Sequence, residues 1–343
     1  MGRAGLNRKT ALATATLTLA AEAADLDVFS RFGGSAFALN HHRGFTHSFL
    51  GVPLVAAVVV AFMYGIWRLR GRKTRSHLPP RWGLLFGYAC LAGLSHILLD
   101  YTNSYGIRPF WPFSERWISW DIVYIVEPVL LVILVLGLTV PALFSLINQE
   151  IGARRKDKAP PGRLAASIAL LAVFACWGLR DYEHRRAVAA LESRNYQGVD
   201  AIRVSAYSYP VNPFRWYGIA ETPAFFAMMD VDSLAPEVDP QGKMQIRYKP
   251  EETPVTLAAK RTYLGRVYLS WAQYPITETE QLDSDPADHS RATYIVRLRD
   301  LRYMYPGRGA SSTLGGSVTL TRDLQVVEER FGMGSRHQGR NRE

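Results

Sequence analysis

The sequence predicts a polytopic α-helical membrane protein with a C-terminal, extracytoplasmic, β-rich (α+β) domain. Three observations predict it. Four stretches in the first half are apolar over lengths that reach or approach the ~20 residues needed to cross a bilayer. Excess positive charge is confined to two loops between those stretches. The second half changes character, to short runs of alternating polarity parted by Pro and Gly clusters.

Composition narrows the alternatives. The 343 residues are 48% hydrophobic and 20% charged, and include 8 Trp, 17 Tyr and 15 Phe, which excludes a disordered chain. The two cysteines, Cys90 and Cys176, lie inside apolar runs, where a thiol behaves as a small hydrophobe, so a disulfide-built scaffold is excluded. A net charge of +10 suggests a nucleic-acid binder until it is located. The first 179 residues hold 18 basic and 9 acidic side chains, the remainder 22 and 21. Segment 68–81 (RLRGRKTRSHLPPR) carries six positives and no acid, and segment 148–163 (NQEIGARRKDKAPPGR) five positives and two acids. Charge so placed marks cytoplasmic loops. The expected partners are therefore membrane lipids and not nucleic acid.

In chain order, residues 10–24 (TALATATLTLAAEAA) favour a helix but are too short to count as a span. They could pass for a signal-peptide core after Arg8 and Lys9, yet the acidic AADLD that follows is poor cleavage-site chemistry. A helix packed against the bundle suits the Ala/Thr composition better. Expected spans cover 49–69, 82–99, 122–147 and 164–179, the last short and closed by Arg180 and Asp181. With both basic loops in the cytoplasm, residues 25–48, 100–121 and everything after about 180 share the opposite face, the periplasm in a Gram-negative cell. Trp111, Trp117 and Trp120 supply the interfacial aromatic belt expected there. Residues 181–193 extend the last span as a helix, and strands are expected at 201–209, 243–248, 266–272, 293–301 and 316–320. The domains are thus 1–180, 181–331 and a disordered tail at 332–343. The C-terminal half shows no nucleophile motif, phosphate loop or repeat.

The chemistry lies in polar residues set where a membrane protein tolerates few. HHRGFTHS supplies His41, His42 and His47 just before an apolar run. SHILLD places His96 and Asp100 four residues apart, on one helix face at the end of a span. Asp25 and Asp27 in AADLD and Asp121 in SWDIVYIVEP complete the set, and the expected topology puts all of them on one side. Imidazole and carboxylate donors suit Zn²⁺, and without thiolates they also admit Mn²⁺ or Fe²⁺, as one ion or two. A spare carboxylate could act as general base or orient a ligating histidine. The bland reading is a helix-surface His/Asp hydrogen bond, with Asp25 or Asp27 capping a helix or opening a turn. His77, His184, His289 and His337 stand in polar contexts and read as solvated. Spacing alone leaves the two readings balanced.

In order along residues 4–147, RKTALATATLTLAAEAADLD, HHRGFTHS, HILLDYTNSYGIRPFWPF and WDIVYIVEP resemble the YdjM-like family of inner-membrane, metal-dependent hydrolases, also described as LexA-binding and inner-membrane-associated. The resemblance implies a helical membrane domain with a His/Asp metal centre and hydrolase activity. By the motifs, Asp25 and Asp27 match the family's acidic pair, His42 and His47 its HRGxTHS, His96 and Asp100 its HxxxD, and Asp121 the acid after the aromatic loop. The order of His and Asp is distantly similar to that of zinc-dependent phospholipase C enzymes, an analogy only. Two departures stand out. The family's Thr-His motif upstream of the RAGL-like segment is missing, so a start assigned too late is expected. Ala24 also replaces the Pro common before the acidic pair.

The expected function is metal-dependent hydrolysis at the outer face of the bacterial inner membrane, with Zn²⁺ the expected ion. His42, His47, His96 and Asp100 are the expected ligands, joined by Asp25 or Asp27, and Asp27 and Asp121 are the expected catalytic carboxylates. A lipid-linked or envelope ester or phosphoester is the natural substrate. The alternative is a non-catalytic envelope protein whose His/Asp cluster is a structural metal site or a hydrogen-bonded staple. A proton-coupled transporter fits less well, because the polar set lies at the rim and not at the midplane.

Overall fold

The computed structural model describes residues 1–72, 77–150, 162–282, 292–305 and 314–332. They fall into two compact units. One comprises Met1–Leu26, Arg43–Arg186 and Tyr207–Arg215, the other Asp27–His42, Ala187–Ala206 and Trp216–Glu343. A short insert from the N-terminal half, 27–42, therefore belongs with the C-terminal unit.

The helices in order are α1 (Ala13–Glu22), α2 (Ser35–His41), α3 (Gly51–Leu69), α4 (Trp82–Tyr101), α5 (Pro128–Glu150) and α6 (Arg163–Glu192). Among the described residues four of them, α3, α4, α5 over Pro128–Ile147 and α6, are long and apolar enough to cross a membrane. The third starts six residues later than expected. Trp120 N donates to Tyr101 O (2.7 Å) and Val123 N to Thr102 O (3.0 Å), which keeps the chain extended beside the end of α4. Pro128 then opens the helix, because its fixed φ suits the first turn and it disfavours helical backbone at Glu127. The last span runs on without a break past Arg180. That guanidinium is buried against Glu127 at 2.9 Å, each side chain 1% exposed, so the charge is matched where it would otherwise end the helix.

Helix α1 runs parallel to α4. Arg81 N donates to Thr10 Oγ1 (2.8 Å) at one end, and Asp25 Oδ1 lies 3.4 Å from His96 Nε2 at the other. Thr10 to Asp25 and Arg81 to His96 are both steps of 15 residues, the second about 22 Å of continuous helix. Ala13, Leu17 and Ala20 pack against Ala56, Val59 and Met63 of α3 and Leu85, Ala89 and Ala92 of α4. Small side chains on the facing surfaces let the backbones approach closely. Gly137 of α5 does the same against Ala169 of α6, where an added Cβ would collide with the alanine methyl.

The C-terminal unit carries strands β1 (Arg203–Ser208), β2 (Arg215–Glu221), β3 (Phe225–Asp232), β4 (Glu237–Val238) and β5 (Gln245–Tyr248), in the order β1-β2-β3-β4 with β5 also paired to β3. After helices α7 (Pro254–Arg261) and α8 (Tyr263–Trp271) come β6 (Pro275–Gln281), β7 (Ala292–Asp300), β8 (Gly315–Thr321) and β9 (Val326–Gly332), an antiparallel sheet in sequence order. The strands expected at 201–209, 243–248, 293–301 and 316–320 form, but 266–272 is helix. Thr262 caps α8 by accepting from Gly265 N (3.1 Å), and the buried side chains Leu264, Val267, Tyr268 and Trp271 follow a helical period. Strands β2 and β3 escape an alternation test because both faces are buried along most of their length. Helix α2 packs on α8 and β9, and its Ser35 Oγ accepts from Phe331 N (3.0 Å). Gly332 closes β9; the rest of the expected tail, 333–343, lies outside the described residues.

Candidate metal centre

The centre is built on the turn that leads into α3. His42 is extended, Arg43 takes a left-handed φ of 51°, and Phe45–His47 form a 3-10 turn. Ser48 locks this turn, donating to Phe45 O (2.8 Å) and accepting from Gly51 N (2.9 Å). The Phe45 carbonyl occupies the space that a Cβ on residue 51 would need, so only glycine fits there. Arg108 N donates to Arg43 O (3.3 Å) and Phe49 N to Pro109 O (2.9 Å), docking the turn on the loop that follows α4.

Four side chains converge in the first unit. His47 Nε2 lies 3.1 Å from Asp100 Oδ2 and 3.8 Å from Asp25 Oδ1, and His96 Nε2 lies 3.4 Å from each of the same two oxygens. Donor atoms from Asp25, His47 and His96 all lie within 4.8 Å of one another. A tetrahedral ion with bonds of about 2.0–2.1 Å sets its ligand atoms about 3.3 Å apart, so the spacing fits a cation of zinc size. His96 Nε2 and Asp100 Oδ2 are buried, and neither has a hydrogen bond of proper angle among the described residues. Buried polar atoms aimed at a common point without hydrogen bonds suit an ion there. His47 is fully buried, whereas the Asp25 side chain is 55% exposed and marks the open side. The imidazole of His96 beside it holds the Asp25 carboxyl below its ordinary pKa of 3.8, against the upward push of partial burial.

Supporting contacts fix two donors. Thr46 Oγ1 meets His47 Nδ1 at 3.0 Å; with the proton on Nδ1, Nε2 presents its lone pair to the centre. Arg43 donates to Asp100 Oδ1 at 2.6 Å, leaving Oδ2 towards the histidines. Both residues stand inside HHRGFTHS, but periodicity and charge gave no reason to single them out.

The other expected residues are placed differently. Asp27 and His42 pair with each other (Oδ2 to Nδ1, 3.1 Å) in the second unit, at the first and last positions of the 27–42 insert. His41 Nδ1 lies 2.9 Å from Phe37 O, and its ring stacks on that phenylalanine. Asp121, with a left-handed φ of 61°, lies between the two backbone bonds that hold residues 120–123 beside 101–102. It is not one of the three residues of the Asp25–His47–His96 group. His77 is exposed, and His289 and His337 lie outside the described residues.

The family model for the YdjM inner membrane protein matches residues 1–185, more than half of the chain. The chain belongs to the YdjM family. The match covers the four converging side chains and all four candidate spans in part or whole. The uncharacterized protein YfhP of Bacillus subtilis (strain 168) is 23% identical over 288 residues, which is 83% of this YdjM-family chain and 76% of YfhP. No solved structure matches the chain.

Proposed function

We propose that the protein is a metal-dependent hydrolase acting at the outer face of the bacterial inner membrane, on a lipid-linked or envelope ester or phosphoester. The observation that carries this reading is the convergence of two imidazoles and two carboxylates, one of them exposed, with donor separations of 3.1–3.8 Å. A divalent ion held by Asp25, His47, His96 and Asp100, with Zn²⁺ the best match to nitrogen and oxygen donors, would polarise an ester oxygen and lower the pKa of a coordinated water. His47 and His96 offer ring nitrogens, His47 from a fully buried position, and Asp25 stands on the open side, where a substrate would enter. Asp121, in the same unit, belongs to this reading as a further acid–base group. His96 and Asp100 lie in the last two turns of a span, a depth at which the linkage of a membrane-anchored substrate would sit.

Orientation supports the same reading. The cluster joins the start of α3 to the end of α4, so those ends share one face, and an even number of further crossings returns the chain there after α6. The basic loops occupy the other face, which the positive-inside rule makes cytoplasmic. The C-terminal unit then follows α6 outside the cytoplasm.

A second reading has its own support. Four protein donors can fill a tetrahedron, as in a structural site that only staples helices. Cobalt-loaded, detergent-purified protein separates the two. We expect about one ion per chain, lost in His96→Ala/Asp100→Ala, and a visible spectrum that shifts when a small anion displaces water. A spectrum indifferent to anions would favour the staple, and a chain that retains no metal would sink the hydrolase.

A further inference from the structure

We infer that Arg43 is a positioning residue for the metal centre, holding Asp100 so that a single carboxylate oxygen faces the two histidines. The inference rests on the metal reading above and adds to it a residue that sets the geometry without touching the ion. Arg43 Nη2 donates to Asp100 Oδ1 at 2.6 Å, and Nη1 donates to Asn103 Oδ1 (3.2 Å) and Gly106 O (3.1 Å). The guanidinium also lies 4.8 Å from the centroid of the Tyr105 ring. Asn103 Oδ1 in turn accepts from Tyr105 N (2.9 Å), so the fork is braced by the turn that follows α4. The Arg43 side chain is only 12% exposed and that of Asp100 14%.

Such a brace divides the work of one carboxylate. Oδ1 is committed to the guanidinium, and Oδ2 is left 3.1 and 3.4 Å from His47 and His96 Nε2. Were Asp100 free to rotate, it could turn both oxygens towards one cation or swing away from it. A planar fork resists that rotation and a lysine ammonium does not, because the latter offers one point charge without fixed directions. A plain structural ion pair would tie the turn to α4 equally well but would leave the centre's affinity and spectrum alone.

The test compares wild type, Arg43→Gln and Arg43→Lys as full chains in detergent, reading Co²⁺ affinity, the visible Co²⁺ spectrum and the melting of metal-free protein. Loss of a residue that orients a ligand lowers metal affinity by roughly 10- to 100-fold. We expect that loss and an altered spectrum in Arg43→Gln, with partial recovery in Arg43→Lys. Wild-type affinity and spectrum in Arg43→Gln would overturn the inference and leave the metal centre standing, whereas a wild type that binds no Co²⁺ overturns both. If Arg43→Gln does not fold, Asn103→Ala serves instead: it removes the acceptor that aims the fork and should weaken Co²⁺ binding in the same direction. Unchanged binding there would equally overturn the inference.

Discussion

Around His47 the chain turns so sharply that the Phe45 carbonyl fills the place of a side chain at position 51. Gly51→Ala must therefore push the Phe45–His47 turn away from α3, and overpacking of this kind costs about 1–3 kcal/mol. The expected outcome is a lower melting temperature together with weaker Co²⁺ binding, since His47 rides on the displaced turn; unchanged binding would show that the turn does not set the ligand. At this scale the sequence revealed Asp25, His47, His96 and Asp100, because ionisable groups beside apolar runs need a partner. It did not reveal that Asp27 and His42 would pair with each other. Both stand within a few residues of true neighbours of the centre, and sequence distance cannot show that the chain leaves one compact unit between them. Arg43 and Thr46 were hidden for another reason: a positioning contact depends on angles that spacing does not encode.

At the scale of elements, the spans were legible because a bilayer imposes length and polarity together, and their ends were not. Pro128 moved the start of α5, and the Glu127–Arg180 pair carried α6 through a charge that reads as a stop. The stretch RVYLSWA shows how a short run can satisfy two periods: it alternates like a strand, yet the Thr262 cap and the buried Leu264, Val267 and Trp271 make it α8. Between strands, Glu221 at the end of β2 joins Arg203 (2.8 Å) and Lys249 (2.8 Å). Partial burial pushes its carboxyl up, but hydrogen bonds to Lys249 and Arg203 outweigh that and hold it below its ordinary 4.5. A depressed folded-state pKa means that this stabilisation is complete above 4.5 and is lost as pH falls through the lowered value. For a half-buried carboxylate whose partners reach solvent it amounts to about 1 kcal/mol or less. Thermal melts should show Glu221→Gln less stable than wild type at pH 7, with the gap closing in acid; a gap independent of pH would mean that the carboxylate charge contributes nothing.

For the whole molecule, the division into two units is the feature that composition foreshadowed least. The apolar-to-mixed shift near residue 180 is visible in the sequence, but nothing in residues 27–42 announces that α2 will pack on α8 and β9. The orientation proposed above is open to direct measurement. A C-terminal alkaline phosphatase fusion should be active and a green fluorescent protein fusion at the same place dark; the reverse result would invert the topology and put the centre in the cytoplasm. Residues 1–9, with Arg3, Arg8 and Lys9, lie at the end of α4 that bears the basic loop, since Thr10 meets Pro79 and Arg81 there. An Arg3→Cys label should accordingly be shielded from an impermeant reagent in intact cells.

The parallel course of α1 and α4 bears on the order in which the protein is assembled. Asp25 reaches the centre at the end of a segment too short to cross a bilayer alone, which must be drawn in beside a helix that can. His96 and Asp100 arrive with that helix, and His47 on the turn before α3, the span that precedes it. The four converging side chains are therefore together only once the weakest-inserting piece of the chain is in place, and an ion taken up there, on the proposed reading, would act as a latch that closes on correctly threaded molecules and leaves misthreaded ones unloaded.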